Sequence, residues 1–262
     1  MRRAFTIIEL LLAMAILGMV VVAAGVLTQT AYQASEHTQA VEAATQNARV
    51  GIQRITQTVR SAYATGDEPG AAVVETIMGA EAVPRTLVVW APSGDPENPA
   101  GPPMVKELVI YTPNPSDPSE LWEMTEPTHT GSQSLTTINS PIGRNLVNVM
   151  TVSETATKRV VMRRLQQVEF SGAPTAMVRF SLQMRPTAGE WTNLDAGTLA
   201  WADANWPNLF YGDEWGTRSV HVQMEFGMTI APQADTQSTA SDHSLPFFGS
   251  ATLSYRLEPP SS

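Results

Sequence analysis

A single carboxylate, Glu9, stands inside an apolar run over residues 5–27 whose only other clearly polar member is Thr6. At the centre of a membrane helix such an anion costs about 2.5–3.5 kcal/mol, so it implies a partner that neutralises it. The run holds no base; Arg2 and Arg3 precede it and Arg49 is the next. Elsewhere the residues that could do chemistry are sparse. His37, His129, His221 and His243 stand in no metal-ligand spacing. No nucleophile elbow, phosphate loop or dinucleotide fingerprint occurs. The absence of cysteine excludes disulfides, thiolate metal sites and a cysteine nucleophile. Asp195, Asp203, Asn205, Asp213 and Glu214 form the densest group of oxygen donors. Calcium is the metal such hard ligands would suit, but their spacing matches no defined calcium loop, and a solvated acidic loop reads them as well. The expectation is a protein that is not an enzyme and has no cofactor, with calcium the one ion to consider.

Charge narrows the partners. The 262 residues carry 25 acids against 16 bases, a net charge of -9, so no nucleic-acid footprint is present. Charged residues make up only 16% and apolar ones 43%, enough for a core beyond the first segment.

The elements that must position Glu9 can be read by period. Residues 5–27 are long enough for one membrane span at about 1.5 Å rise per residue. The arginines before the run and the absence of bases after it place the N-terminus in the cytoplasm and the remainder outside. Helical signal continues to Ala64 with no proline and only Gly51 as a glycine. Val41, Ala44, Ala48, Ile52, Ile55, Val59 and Ala62 recur at steps of three and four, an amphipathic stripe that would pack on a following domain. With no proline in the span, any kink is expected near Gly18 or Gly25. "GDEPG" at residues 66–70 stops the helix.

Beyond residue 70 the period becomes two. Residues 178–184 and 220–230 alternate as half-buried antiparallel strands. "LQQVEF" at 165–170 reads as a strand joined to 178–184 in a hairpin by residues 171–175. Shorter strands are expected at 86–90, 107–111, 121–124, 146–150 and 252–257. Proline-rich stretches at 91–103 and 112–119 read as solvent loops. Residues 194–216 read as irregular. Trp191, Trp201, Trp206, Phe210, Tyr211 and Trp215 would form either a small satellite core or a partner surface. A helix followed by many strands gives an α+β fold. The expected division is a leader at 1–4, a transmembrane helix at 5–27, an amphipathic stalk at 28–65, an exported β-rich domain at 70–258 and a tail at 259–262.

"RRAFTIIELLLAMAILGMVVVAAGVL" resembles the prepilin-type cleavage and methylation motif of type IV pilins and type II secretion pseudopilins. The resemblance implies a leader ending at Ala4, where the family usually has glycine. It implies cleavage by prepilin peptidase between Ala4 and Phe5, and N-methylation of Phe5. Glu9 would be the acid that meets the new Phe5 amine, its own or a neighbour's, during filament assembly. The implied fold is pilin-like: a long N-terminal helix whose second half packs on an antiparallel sheet. The strand order, with "LVVW", "LQQVEF", "NWP" and "SVHVQMEFGM", is similar to J-type minor pseudopilins and W-type minor pilins. The implied function is a minor subunit of a type IV pilus or a type II secretion pseudopilus, structural or initiating. Its partners would be other pilins through the helix, prepilin peptidase and inner-membrane lipid. The alternative from the residues alone is a membrane-anchored or secreted β-rich binding domain with no filament role, whose apolar run is a signal anchor or a cleaved signal peptide.

Overall fold

A computed structural model describes residues 6–79, 81–170, 172–203, 217–230 and 244–256. Helix α1 (Ile7–Arg60) is unbroken through Gly18, Gly25 and Gly51. It ends at Arg60, short of the Ala64 that periodicity predicts. The cause is tertiary: the Tyr63 N–H donates to the Trp90 carbonyl at 2.8 Å, so the chain has already left the helix to join a sheet.

Strands β1 (Ala71–Met78), β2 (Glu81–Trp90), β3 (Leu108–Pro113), β4 (Leu121–Thr125) and β5 (Thr157–Met162) form an antiparallel meander in chain order. β6 (Gln167–Phe170) and β7 (Ala173–Ala176) form a small hairpin. β8 (Val178–Arg185), β9 (Thr217–Thr229) and β10 (Ser244–Arg256) form a second antiparallel sheet in the order β10-β9-β8. Helices α2 (Pro141–Val152) and α3 (Ala188–Asp195) complete the described elements. The architecture is α+β and pilin-like, as the sequence predicts.

Three local expectations are corrected. Residues 146–150 belong to α2 and not to a strand. Ser140 caps its N-terminus by accepting from the Gly143 N–H, Pro141 opens it, and Gly143, Val147 and Met150 are the buried face. The partner of β6 is β7, so the segment expected to be a turn itself forms a strand, and the hairpin closes at Gly172, where φ is +79°. Residues 194 and 195, expected to be irregular, are the last turn of α3.

The second half of α1 wedges between the two sheets. Ala44, Ala48, Ile55 and Val59 share one core with Leu87, Val89 and Leu121 of the first sheet and Val220, Val222, Met224 and Phe226 of the second. The other face of the first sheet buries Val88, Trp90, Ile110 and Met124 against Val147 and Met150 of α2 and against Leu135 and Ile138. Burial on both faces explains why "LVVW" is continuously apolar. The fit to the helix is tight. A Cβ at Gly51 would run into Met162 Cε, and one at Gly249 would meet Ile52 Cγ2 at 2.6 Å.

Candidate functional site

The site is the helix itself, and it has three parts. At its start Thr6 is the N-cap: the Glu9 N–H donates to Thr6 Oγ1 at 3.4 Å. Glu9 reciprocates, with Oε2 accepting from the Thr6 N–H at 3.0 Å and the Thr6 hydroxyl at 3.1 Å. This capping box satisfies backbone donors that a helix start otherwise leaves unpaired. Both bonds to the carboxylate fall on Oε2; Oε1 takes part in neither. By composition alone Glu9 awaits a cation; its local partner is Thr6. The signal for it is in the sequence, because "TIIE" has the T-x-x-E spacing of a capping box. Ala4 and Phe5 lie outside the described residues.

The second part is the apolar rod. Every residue from 6 to 39 is exposed, and no residue of the helix is buried before Ala40. Fourteen Ile, Leu, Met and Val side chains are exposed on residues 7–27. They point to all sides of the helix, the pattern of a span or of a rod buried in an assembly. Burying each is worth about 1.5–3 kcal/mol, so the set is worth on the order of 20–40 kcal/mol. That exceeds the cost of inserting one carboxylate about tenfold, so Glu9 does not prevent membrane insertion. Thr28 and Thr30 bound the rod, their hydroxyls donating to the Ala24 and Val26 carbonyls at 2.8 and 2.9 Å. Polar groups closed onto their own helix are tolerated at a membrane boundary.

The third part couples the rod to the head. Arg54 Nε and Nη2 donate to Glu123 Oε2 and Oε1 at 2.7 and 2.9 Å, a two-pronged ion pair from α1 to β4. Tyr111 on β3 donates its hydroxyl to Glu123 Oε2 at 2.9 Å, and Thr58 on α1 lies 2.7 Å from the Tyr111 oxygen. Burial pushes the Glu123 carboxyl upward. The Arg54 and Tyr111 hydrogen bonds outweigh it and hold the group below the ordinary carboxylate range. No short-range pattern announces this clamp, because its members are 69 and 53 positions apart in sequence.

The remaining candidates divide. Asp195 and Asp203 are exposed at the end of α3 and in a short helical turn after it; Asn205, Asp213 and Glu214 lie outside the described residues. Among the described residues no three His, Asp or Glu side chains gather as a metal site. Trp201 is buried with Leu194, and Trp191, Leu199 and Tyr255 pack on them as a satellite core. Trp206, Phe210, Tyr211 and Trp215 lie outside the described residues.

Residues 1–25 match the family model for the prokaryotic N-terminal methylation motif. The match covers the run that contains Ala4, Phe5 and Glu9 and the first part of the exposed rod. It supports a pilin or pseudopilin type of protein. Such an N-terminus implies processing by prepilin peptidase and assembly with other pilins, and with the apolar helix it fits anchoring in the inner membrane. No curated protein and no solved structure matches the chain.

Proposed function

We propose that the chain is a minor pilin or pseudopilin subunit. It is inserted with its N-terminus in the cytoplasm and its β-rich head outside, cut between Ala4 and Phe5, and N-methylated on Phe5. It is then built into a type IV pilus-like or type II secretion filament in a structural or initiating role. The observation that carries this reading is the contrast along α1: exposed from residue 6 to 39, docked from Ala40 onward, with the methylation motif at its start. A rod protruding about 50 Å from its own domain needs other helices or lipid to cover it. Among subtypes we favour J-type minor pseudopilins and W-type minor pilins, whose strand order the sequence resembles.

The capping box gives assembly a local mechanism. Cleavage would place a cationic amine on Phe5, the residue bonded to the Thr6 nitrogen that Glu9 already contacts. The carboxylate is thus held one residue from that amine, with Oε1 outside the capping bonds and able to accept from a neighbouring subunit's amine. In low dielectric a charge left unpaired is costly, so the pair would form at docking. The test is the share of the chain recovered with sheared filaments. Glu9→Val is expected to be cleaved and to remain in the membrane, with incorporation down more than about tenfold. Normal incorporation of the variant, or a wild-type chain that never fractionates with filaments, would count against the proposal.

A further inference from the structure

Strand β10 is an open edge. β9 is its one neighbour, and the register runs unbroken from Ser244 opposite Thr229 to Arg256 opposite Thr217. The Gly227 N–H donates to the Met177 carbonyl and the Gly227 carbonyl accepts from the Gln166 N–H, so Gly227 turns its backbone away from β10. By alternation Met224, Phe226 and Met228 turn theirs toward it, and Gly249, Phe247 and Leu245 opposite them complete the hydrogen-bonded pairs. The N–H and C=O groups of Phe248, Ser250, Thr252 and Ser254 therefore point out from the edge. Pro246 falls in the same outward phase, where its missing N–H costs no ladder bond. Among the described residues no hydrogen bond reaches these outward backbone groups, and the side chains at 246, 248, 250, 252, 254 and 256 are all exposed.

Such an edge is normally blunted by a bulge, a charge or a cover. β1, at an edge of the other sheet, is covered: Asn139 Nδ2 donates to the Val73 carbonyl at 2.8 Å, and its Oδ1 accepts from the Glu75 N–H at 2.9 Å. From Phe247 to Tyr255 β10 has no bulge, no charged residue and no proline. A strand of that kind is a template for one more.

The flank of α1 beside the edge identifies the occupant. A Cβ at Gly249 would meet Ile52 Cγ2 at 2.6 Å, and one at Gly70 would meet both Leu253 Cδ2 and the Tyr63 carbonyl oxygen at 2.7 Å. Ile52 thus sits at Gly249, and the chain just past the helix lies at Leu253, so α1 and β10 run side by side in one direction. Arg49, Ile52, Thr56 and Arg60 follow at steps of three and four and share that flank. Arg49 and Arg60 are exposed, and no ion pair among the described residues includes either. Residues 43–60 hold three bases and no acid, and the third base, Arg54, is taken by Glu123. β10 itself holds Arg256 and no acid. Glu42 lies seven positions before Arg49 on the helix, and Glu225 lies on β9, behind the edge. In a chain of net charge -9 this is a basic margin, and its complement is a carboxylate.

A second copy of the chain does not fit. Two β10 strands paired antiparallel would send their rods in opposite directions, which one membrane does not permit; this point rests on the membrane-anchored reading of the rod. Paired parallel, they would set Arg49, Arg60 and Arg256 of one chain against the same residues of the other.

We propose that this edge receives an extended segment of a different protein, hydrogen-bonded as a strand to Phe248, Ser250, Thr252 and Ser254, with two acidic side chains turned toward α1 at Arg49 and Arg60. The two arginines are 11 positions apart, about 16 Å along the helix. Same-face residues four apart on a strand span about 14 Å, so acids at positions i and i+4 reach both. Main-chain bonds supply the affinity, and the arginines select the acidic strand.

The test uses the full chain in detergent and two labelled peptides. One is acetyl-Thr-Glu-Thr-Val-Thr-Glu-Thr-amide, and the other has glutamine in place of both glutamates. Each has the same side-chain order in either direction, so parallel and antiparallel addition are both sampled. The acidic peptide is expected to bind at least about threefold more tightly at low salt, with the gap closing at about 1 M salt. Binding should slow amide exchange at Ser250, Thr252 and Ser254, which exchange fast in the free chain, and leave the already protected Gly249 and Ala251 unchanged. N-methylation of one of the two alternate sets of peptide amides should abolish binding. Arg49→Gln together with Arg60→Gln should erase the preference for the acid while leaving the neutral peptide's affinity as it is. Ser250→Pro, which removes one N–H in the outward phase of Pro246, should weaken both peptides with the protection of Gly249 and Ala251 kept. Equal affinity for the two peptides at low salt, binding that survives both methylations, protection on another strand, or no binding at millimolar peptide would each overturn the proposal. So would slow exchange at Ser250 and Thr252 in the free chain: constant, it means the chain covers its own edge; rising with protein concentration, it means a second copy does. None of these readouts depends on cleavage at Ala4 or on filament assembly, so failure here is distinct from failure of the function proposed above.

Discussion

Glu123 shows what one side chain contributes to joining rod and head. Removing Tyr111's hydroxyl leaves its carboxylate one donor short, and Tyr111→Phe should cost about 1 kcal/mol in urea unfolding. Arg54 is 45% exposed at its side chain, so its ion pair is partly screened, and Arg54→Met should cost about 1–2 kcal/mol. Because the Glu123 carboxyl is held below the ordinary range, the folded chain binds its proton less tightly than the unfolded one. The stability it adds is complete above the unfolded value of about 4.3 and is lost as pH falls through the folded value. Glu126 has the same sign for a different reason: the Thr128 hydroxyl, with help from Ser153 and Thr155, lowers it. Glu68 has the opposite sign. Burial raises it, more than hydrogen bonds such as the Leu135 N–H lower it, so it penalises the folded state at neutral pH and the penalty fades on acidification. Glu68→Gln keeps an acceptor for Leu135 and should raise the melting temperature at pH 7. A thermal melt of both chains at pH 7 and at pH 4 checks this, with the gap between them narrowing at the lower pH.

At the scale of elements, α1 works because its docked face is made of small residues. Ala44, Ala48 and Gly51 bring the helix backbone close to the sheets, and Met162 fills the space over Gly51. Gly51→Val should cost about 1–3 kcal/mol through overpacking. Adding Met162→Ala should recover part of that loss, a non-additivity that a double-mutant cycle measures directly. Much of this arrangement is legible in the sequence. The stripe of Ala44, Ala48, Ile55 and Val59 is buried as periodicity predicts, while Ala40, Gly51 and Thr58 emerge only from the packing. The strands at 86–90, 121–124 and 178–184 are found within β2, β4 and β8, and that at 220–230 lies in β9 up to Thr229. Residues 146–150 mislead because "VNVM" alternates locally, whereas the capping serine and the proline at 140–141 are the signals of a helix. The Arg54–Glu123–Tyr111 clamp is invisible in the sequence because three separate elements bring it together. The capping box is legible in the four letters of "TIIE".

For the whole molecule, the division is between a rod with no buried residue before Ala40 and a head that closes one core around the last third of the same helix and a second on the far face of its first sheet. The first buried helix position is Ala40, so a chain beginning at residue 34 retains every core contact of α1. It should be soluble without detergent and unfold with a midpoint within a few degrees of the full-length head, as read by circular dichroism and size-exclusion chromatography. The apolar surface removed is the surface that the pilin-type N-terminus implies will be covered by other subunits or lipid. Mass spectrometry of the N-terminal peptide from the native host decides most directly whether the chain is used in that way. The account predicts a chain that begins at N-methylated Phe5. A chain that begins at Met1, or one cut near Ala24, would contradict it.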